Sequence, residues 1–265
     1  MNCIGFIGAG NMGRAMIKGL LSKENEDSII FTDSSSTIRQ EISDQLKISS
    51  FEKNAEIASK SKYIIIAIKP KIYKKVLEEI KGSMTPDKVI ISIAPGITIK
   101  AIKQILGEST RVIRSMPNTP SLVGEGMSII SFSEDPYSEK EKKEIIGIFN
   151  SFGEVEILKE KLMDAVVPIS GSSPAYVYMM IEAMADAGVL IGLPRKLSYK
   201  LAAQSVLGAG KMVLETASHP GELKDAVCSP GGTTIEAVAV LEKRNFRNAI
   251  IEAMISCYEK TKKLD

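Results

Sequence analysis

The sequence predicts an α/β chain, with a doubly wound parallel sheet in its first part and an all-helical region in its second. Three observations predict this. Short β-branched runs alternate with helical patterns up to about residue 130. Those runs are apolar without alternation, as strands covered on both faces are. From about residue 162 the strand runs stop and only helical periodicity continues. The implied division is a dinucleotide-type domain over 1–161 and a helical domain over 162–265.

Taken in order, the strand runs are CIGFIG, SIIFTD, YIIIAIK, KVIISIA, TRVIRSM and GMSIISF. The helical patterns between them imply right-handed crossovers joining parallel strands. SEDPYSEKEKKEIIGIFNSFG reads as a turn and a helix, and EVEIL as a short strand. Helical stretches follow from MDAVVPISGSSPAYVYMM to the closing RNAIIEAMISCYEKTKK. Gly192 with Pro194 marks one boundary and Gly231 with Gly232 another. The first long helical stretch is apolar nearly all round, so it requires burial between domains or subunits. An obligate homodimer is expected.

Composition narrows the function classes. In 265 residues, 44% are hydrophobic and 25% charged, which fits a folded globular chain with one large or two modest domains. Lys+Arg of 34 against Asp+Glu of 32 leaves a net charge of +2 without a dense basic stripe, so nucleic acid is not an expected partner. Cys3, Cys228, Cys257 and the lone His219 have no metal-ligand spacing; reduced, inert thiols and no metal are expected. His219 precedes Pro220 near a helix start, where a capping or surface role is expected. AYVYMMIEAMADAGVLIGL carries Glu182 and Asp186 and is barely long enough to span a bilayer, so a buried helix is expected and no membrane partner. The opening MNCIGFIGAG has no basic segment ahead of an apolar one, and the expectation is no leader and a cytoplasmic location.

IGFIGAGNMGRAMIKGLL places Gly8, Gly10 and Gly13 as G-x-G-x-x-G between the first strand and an amphipathic helix. The first glycine makes the turn, the second admits a pyrophosphate to the backbone, and the third lets helix pack on strand. Asp33, at the end of the second strand and twenty residues past Gly13, suits a ribose 2′-hydroxyl and repels a 2′-phosphate, which leans toward NADH. Ser34, Ser35, Ser36 and Arg39 offer the opposite reading, a phosphate site formed if Asp33 turns away to cap the next helix. AIKP, Ala67 to Pro70, and SIAPG, Ser92 to Gly96, end strands at the same carboxyl edge of the sheet.

The residues absent from the helical region limit the chemistry. Alcohol oxidation or ketone reduction moves a proton on oxygen along with the hydride and calls for a Lys or His. SGSSPAYVYMM supplies neither in its first turns. An imine nitrogen can arrive protonated, so C=N reduction asks only that the carbon be held over the hydride donor. A carboxylate beside the imine would supply the anchor, received at a glycine-rich helix start. SPGGTT, Ser229 to Thr234, is such a start, although Thr233 with Glu236 also fits a plain capping box entered by a Pro-Gly-Gly turn.

Together, IGFIGAGNMG, AIKP, RSMPNTP, SGSSPAYVYMMIEAMADAGV and GAGKMVLETASHPGELKDAVCSPGGTTIEAV resemble the pyrroline-5-carboxylate reductases, essentially end to end. The segment from Leu223 to Leu241 resembles that family's signature most closely. The resemblance implies a Rossmann-type domain, a helical dimerisation domain, and reduction of 1-pyrroline-5-carboxylate to L-proline by NADPH or NADH. It places the cofactor on Ile7, Gly8, Ala9, Gly10, Asn11, Met12 and Gly13, on Asp33 and Ser34, and on Asn54. It adds Ala67, Ile68, Lys69 and Pro70, and Ile93, Ala94 and Pro95. It places the substrate on Ser229, Gly231, Gly232, Thr233 and Thr234, with backbone N–H groups of the last three on the carboxylate and the Thr234 hydroxyl near the ring nitrogen as the catalytic group. It further implies sites completed by a partner's helical domain and dimers assembled into a decamer. Two departures stand out: Asp33, where NADPH users commonly carry a small neutral or hydroxyl residue, and Pro95, where alanine is commoner and a backbone N–H is lost. A reductase of another keto or imino acid would want a Lys on the interdomain helix, and a dinucleotide sensor without turnover would not need SPGGTT.

Overall fold

The computed structural model describes residues 3–23 and 26–263, so the first two residues of the opening run lie outside it. Among the described residues the eight strands are β1 (Ile4–Ile7), β2 (Ile29–Thr32), β3 (Ser49–Phe51), β4 (Tyr63–Ile66), β5 (Val89–Ser92), β6 (Arg111–Met116), β7 (Gly126–Phe132) and β8 (Gly153–Ile157). They form one sheet in the order β3-β2-β1-β4-β5-β6-β7-β8. All pairs are parallel except β6 with β7, so the all-parallel expectation is corrected at that pair. The reason is local: the 3₁₀ turn Thr119–Val123 and left-handed Gly124 return the chain alongside β6 instead of crossing a face. β3 is a second correction. Its three residues include two serines and none of the β-branched run that marks the other strands.

Helices α1 (Asn11–Leu21), α2 (Ser36–Leu46), α3 (Asn54–Lys60), α4 (Tyr73–Ile80), α5 (Ile99–Leu106) and α6 (Glu139–Phe149) cover the two faces. Consecutive strand residues point to opposite cores. Phe6, Ile65, Ile91 and Ile113 pack with Met16, Ile17 and Phe149, while Ile7, Ile64, Ile90 and Val112 pack with Ile57, Leu77 and Ile102. Two covered faces are the physical reason the strand runs show no polar alternation. The sheet order turns back between β1, β2 and β4, so the loops after these strands open a crevice at their carboxyl ends.

After β8 come a short α7 (Met163–Val166), a π-type turn (Val167–Gly171), α8 (Ser173–Leu190), α9 (Arg195–Thr216), α10 (Pro220–Val227), α11 (Thr233–Lys243) and α12 (Phe246–Thr261). The single long stretch expected from Met163 is thus interrupted; Pro168 removes a backbone donor there, and the wider turn absorbs the loss. Gly192 at φ +99° follows α8, and Pro194 occupies the N-cap position of α9, as the sequence indicates. His219 caps α10: its Nδ1 accepts the Gly221 N–H at 3.0 Å. By packing, the chain forms one compact unit of Met1–Gly171 with Tyr258–Asp265 and another of Ser172–Cys257. Within the second, α8 and α9 approach closely, since a Cβ on Gly188 would lie 2.6 Å from Ser198 Oγ.

No helix among the described residues is long and apolar enough to cross a membrane. Cys3, Cys228 and Cys257 are not in disulfides among the described residues, and burial pushes the Cys3 thiol up, away from thiolate chemistry at neutral pH.

Candidate active site

The glycine loop has the shape a pyrophosphate requires. Gly8 sits at φ +95°, where a Cβ would also lie 2.5 Å from the Ala67 carbonyl oxygen. A Cβ on Gly13 would lie 2.5 Å from the Gly8 carbonyl oxygen, so α1 can pack this closely only with glycine there. Gly10 is the opposite case: nothing stands within 4 Å of its added Cβ. Gly10 is also the N-cap of α1 and supplies no side-chain cap, leaving first-turn amides of the helix for an anion. The residues therefore fit a dinucleotide.

Hydrogen bonds hold the strand ends in line. Gly8 N donates to Thr32 O at 2.9 Å and Ala67 N to Ile7 O at 2.8 Å. Ile7, Gly8, Thr32, Asp33, Ser34, Asn54 and Ile68 share a cavity of about 450 Å³ beside this edge, and Glu52, Lys75 and Glu79 complete its polar wall. Asp33 does not turn outward. Its Oδ2 accepts the Ala9 N–H and its Oδ1 the Ser35 N–H, both at 3.0 Å, tying the glycine loop to the start of α2. Ser35 itself caps that helix by accepting the Ile38 N–H at 3.3 Å. Arg39 Nη1 donates to the Asp33 carbonyl at 2.7 Å, and its Nη2 lies 3.7 Å from Glu52 Oε1. Asn54 Nδ2 donates to Glu79 Oε2 at 2.6 Å.

Farther along the edge, Ala94 and Pro95 follow β5 and share a small pocket with Arg114, Met116, Met163 and Asp164. Arg114 is nearly buried and pairs with Asp164 at 2.7 Å and Glu160 at 3.5 Å. Glu160 Oε1 in turn accepts the Ile99 N–H at 2.7 Å at the start of α5. Asn118, from RSMPNTP, holds the neighbouring π-type turn: its Nδ2 donates to Ser170 O at 3.1 Å and its Oδ1 accepts Met127 N at 2.8 Å. Ile93 and Ala94 lie inward, whereas Lys69, Pro70 and Pro95 are exposed on the loops.

SPGGTT lies in the second unit. Gly231 takes φ +66°, and Gly232 closes a turn by donating its N–H to Ser229 O at 3.0 Å. A Cβ on Gly232 would fall 2.3 Å from Ser229 Oγ, so a larger residue there would have to push that hydroxyl aside. α11 starts at Thr233 with Gly232 as its N-cap and no side-chain cap. This corrects the capping-box reading, which needed Thr233 one position outside the helix. Thr233 and Thr234 instead occupy the first turn with their amides pointing out of it. Gly232's amide is already engaged by Ser229, which leaves Thr233 and Thr234 as the better donors to an anion.

Glu52, Lys75, Glu79 and Arg114 escape a reading based on glycine loops and strand ends. Glu52 follows β3, the strand without a sequence signal, and Lys75 and Glu79 lie one turn apart on α4, where i,i+4 spacing looks like an ordinary solvated pair. Arg114 sits inside a strand run, and its burial with two acids has no local signature.

A doubly wound sheet with an open glycine cradle, followed by a helical unit, defines the class as a nicotinamide-dinucleotide oxidoreductase. Residues 160–264 match the family described as pyrroline-5-carboxylate reductase dimerisation, and residues 3–96 the one described as NADP oxidoreductase, coenzyme F420-dependent. The chain is 48% identical to the pyrroline-5-carboxylate reductase of Escherichia coli (strain K12), over 98% of this chain and 97% of that one. It is 41% identical to that of Methanosarcina acetivorans over 98% and 97%. Among solved structures it is similar to the Coxiella burnetii enzyme (TM-score 0.92, 33% identity, 100% and 98% covered). It is also similar to the Plasmodium falciparum enzyme with NADP bound (TM-score 0.88, 34% identity, 99% and 98% covered). The chain belongs to the pyrroline-5-carboxylate reductase family, NAD(P)H-dependent oxidoreductases of the final step of proline biosynthesis. Its helical unit is an oligomerisation domain.

Proposed function

We propose that this chain reduces the C=N bond of 1-pyrroline-5-carboxylate to give L-proline, with NADH as the better donor and NADPH as the alternative. The observation that supports the substrate assignment is the uncapped start of α11 behind the Ser229 to Gly232 turn, because it suits an anion such as this substrate's carboxylate. When bound, the nicotinamide supplies the hydride. The glycine loop from Ile7 to Gly13, with Asp33, Ser34 and Asn54, holds the adenosine and pyrophosphate end. Ala67 to Pro70 and Ile93 to Pro95 flank the nicotinamide end.

The substrate carboxylate takes the amides of Thr233 and Thr234, supported by the Ser229 to Gly232 turn. The Thr234 hydroxyl bonds at the ring nitrogen and fixes the face of the ring. As the C=N carbon gains hydride, its π pair moves to a nitrogen that already carries a proton, so no chain Lys or His has to titrate. The domain boundary is assigned at 161/162, where strand patterning stops. In the proposed assembly, homodimers bring one subunit's SPGGTT loop to the other's dinucleotide domain and join further into decamers in the cytoplasm.

The direct test is the fall in reduced-nicotinamide absorbance on adding 1-pyrroline-5-carboxylate. Absence of any fall with both NADH and NADPH overturns the assignment.

A further inference from the structure

The wall of the adenosine-side cavity contains an arrangement that the glycine-loop reading does not use. Asp33, Glu52 and Glu79 bring three carboxylates to it, against the single ammonium of Lys75, which is already 3.9 Å from Glu79. Arg39, bonded to the Asp33 carbonyl, is a guanidinium able to neutralise an added phosphate. It is only 16% exposed, held between the Asp33 carbonyl and the Glu52 carboxylate. One backbone donor that would serve a phosphate site is also taken: Ser35 N donates to Asp33.

We propose that Glu52 is a specificity-determining residue that disfavours a 2′-phosphorylated adenosine ribose, by engaging Arg39 and by adding a second negative charge to the wall that Asp33 begins. This rests on the reading of the cavity as the adenosine end of the dinucleotide site. Two features make Glu52 and not Asp33 the adjustable element. Asp33 is fixed by two backbone amides, so altering it disturbs the glycine loop for either cofactor. Glu52 is 83% exposed, and among the described residues its carboxylate pairs with Arg39 alone, at 3.7 Å, so its charge can change with little cost to the fold. A 2′-phosphate carries a charge near −2 and competes for the same guanidinium fork, whereas an unphosphorylated ribose asks nothing of Arg39.

The test uses the full-length protein and two readouts: kcat/KM for NADPH and NADH, and the dissociation constant of each reduced dinucleotide from its fluorescence on binding. Glu52→Gln is expected to raise the NADPH:NADH ratio about three- to fivefold, as befits an exposed charge. Glu52→Lys is expected to raise it further, and adding Arg39→Leu to Glu52→Gln is expected to cancel most of the gain. An unchanged ratio in both Glu52 variants, with Asp33→Ser still moving it, overturns the role of Glu52 and leaves the cavity assignment standing. If Asp33→Ser also leaves both the ratio and the dissociation constants unmoved, the cavity is not the adenosine site and the two readings fall together.

Discussion

Thr234 is where the smallest change should have the largest chemical effect. It is half-buried in the first turn of α11, with its amide and hydroxyl both at the uncapped end of the helix. Thr234→Ala keeps the amide and removes the hydroxyl, so the carboxylate cradle survives and ring orientation is lost. Turnover is expected to fall about 10- to 100-fold, with the NADH dissociation constant within about twofold of the parent and Thr234→Ser recovering most of the loss. Wild-type turnover in the alanine variant would remove Thr234 from the chemistry. Positions at this scale were legible because chemistry restricts residue type: the glycine triple, Asp33 and SPGGTT all stand where the sequence puts them. Orientations were not. Whether Asp33 faces a ribose or the Ala9 amide depends on the angle at which β1 and β2 end, and the N-cap of α11 differed from the Thr233 reading by one residue. That one-residue shift exchanges a self-capped helix for one open to an anion.

At the scale of elements, strands with apolar runs were legible because burial on both faces forces their composition. β3 was not, since a three-residue edge strand needs only one neighbour, and with it went the position of Glu52. The antiparallel β7 was hidden for a related reason: an apolar run carries no direction, and only the short turn at Thr119–Val123 sets it. How α6 is fastened to the sheet was equally invisible, because the partners are far apart in sequence. Glu141, capping α6 at Ser138, pairs with Arg111 of β6 at 2.8 Å and Lys62 at 3.2 Å. Burial opposes its ionisation, but the Ser138 amide and the two cations prevail and hold its carboxyl at about 2, below the ordinary 4.5. A carboxyl lowered on folding stabilises the fold above its unfolded value, and that contribution drains away as pH falls from about 4.5 through 2. Glu141→Gln is therefore expected to cost about 2 kcal/mol at pH 7, with allowance for solvent screening. In urea unfolding the gap to the parent should narrow steadily between pH 4.5 and pH 2; a gap independent of pH would mean the ion pairs contribute nothing net.

For the whole molecule, the helical unit poses a question of where its core is. Among the described residues only Ala185 and Gly188 of α8 and Ser198 and Ala202 of α9 are buried, and none of α10 or α11. Large apolar side chains face outward in the same unit, with Leu190 at 87%, Ile191 at 81% and Leu214 at 84% exposure. Each would gain about 1.5–3 kcal/mol from full burial, and a unit built this way gains little of that alone. The match of 160–264 to a dimerisation family assigns this part of the chain to oligomerisation. Coupling the folding of this helical unit to association predicts that dilution favours its unfolded form. Light scattering at micromolar concentration should give a mass of at least twice 28.7 kDa. The thermal midpoint should rise with protein concentration, by several degrees over about a hundredfold range. A fully active 28.7 kDa species with a concentration-independent midpoint would show that the exposed apolar faces are tolerated by the lone chain, and would also refute a site completed by a partner's SPGGTT loop. If the mass is multimeric and a charge placed at Leu190 yields inactive monomers that still bind NADH through the glycine loop, assembly and cofactor binding are separable, and the helical unit serves the reaction by bringing substrate groups to a dinucleotide domain that folds without it.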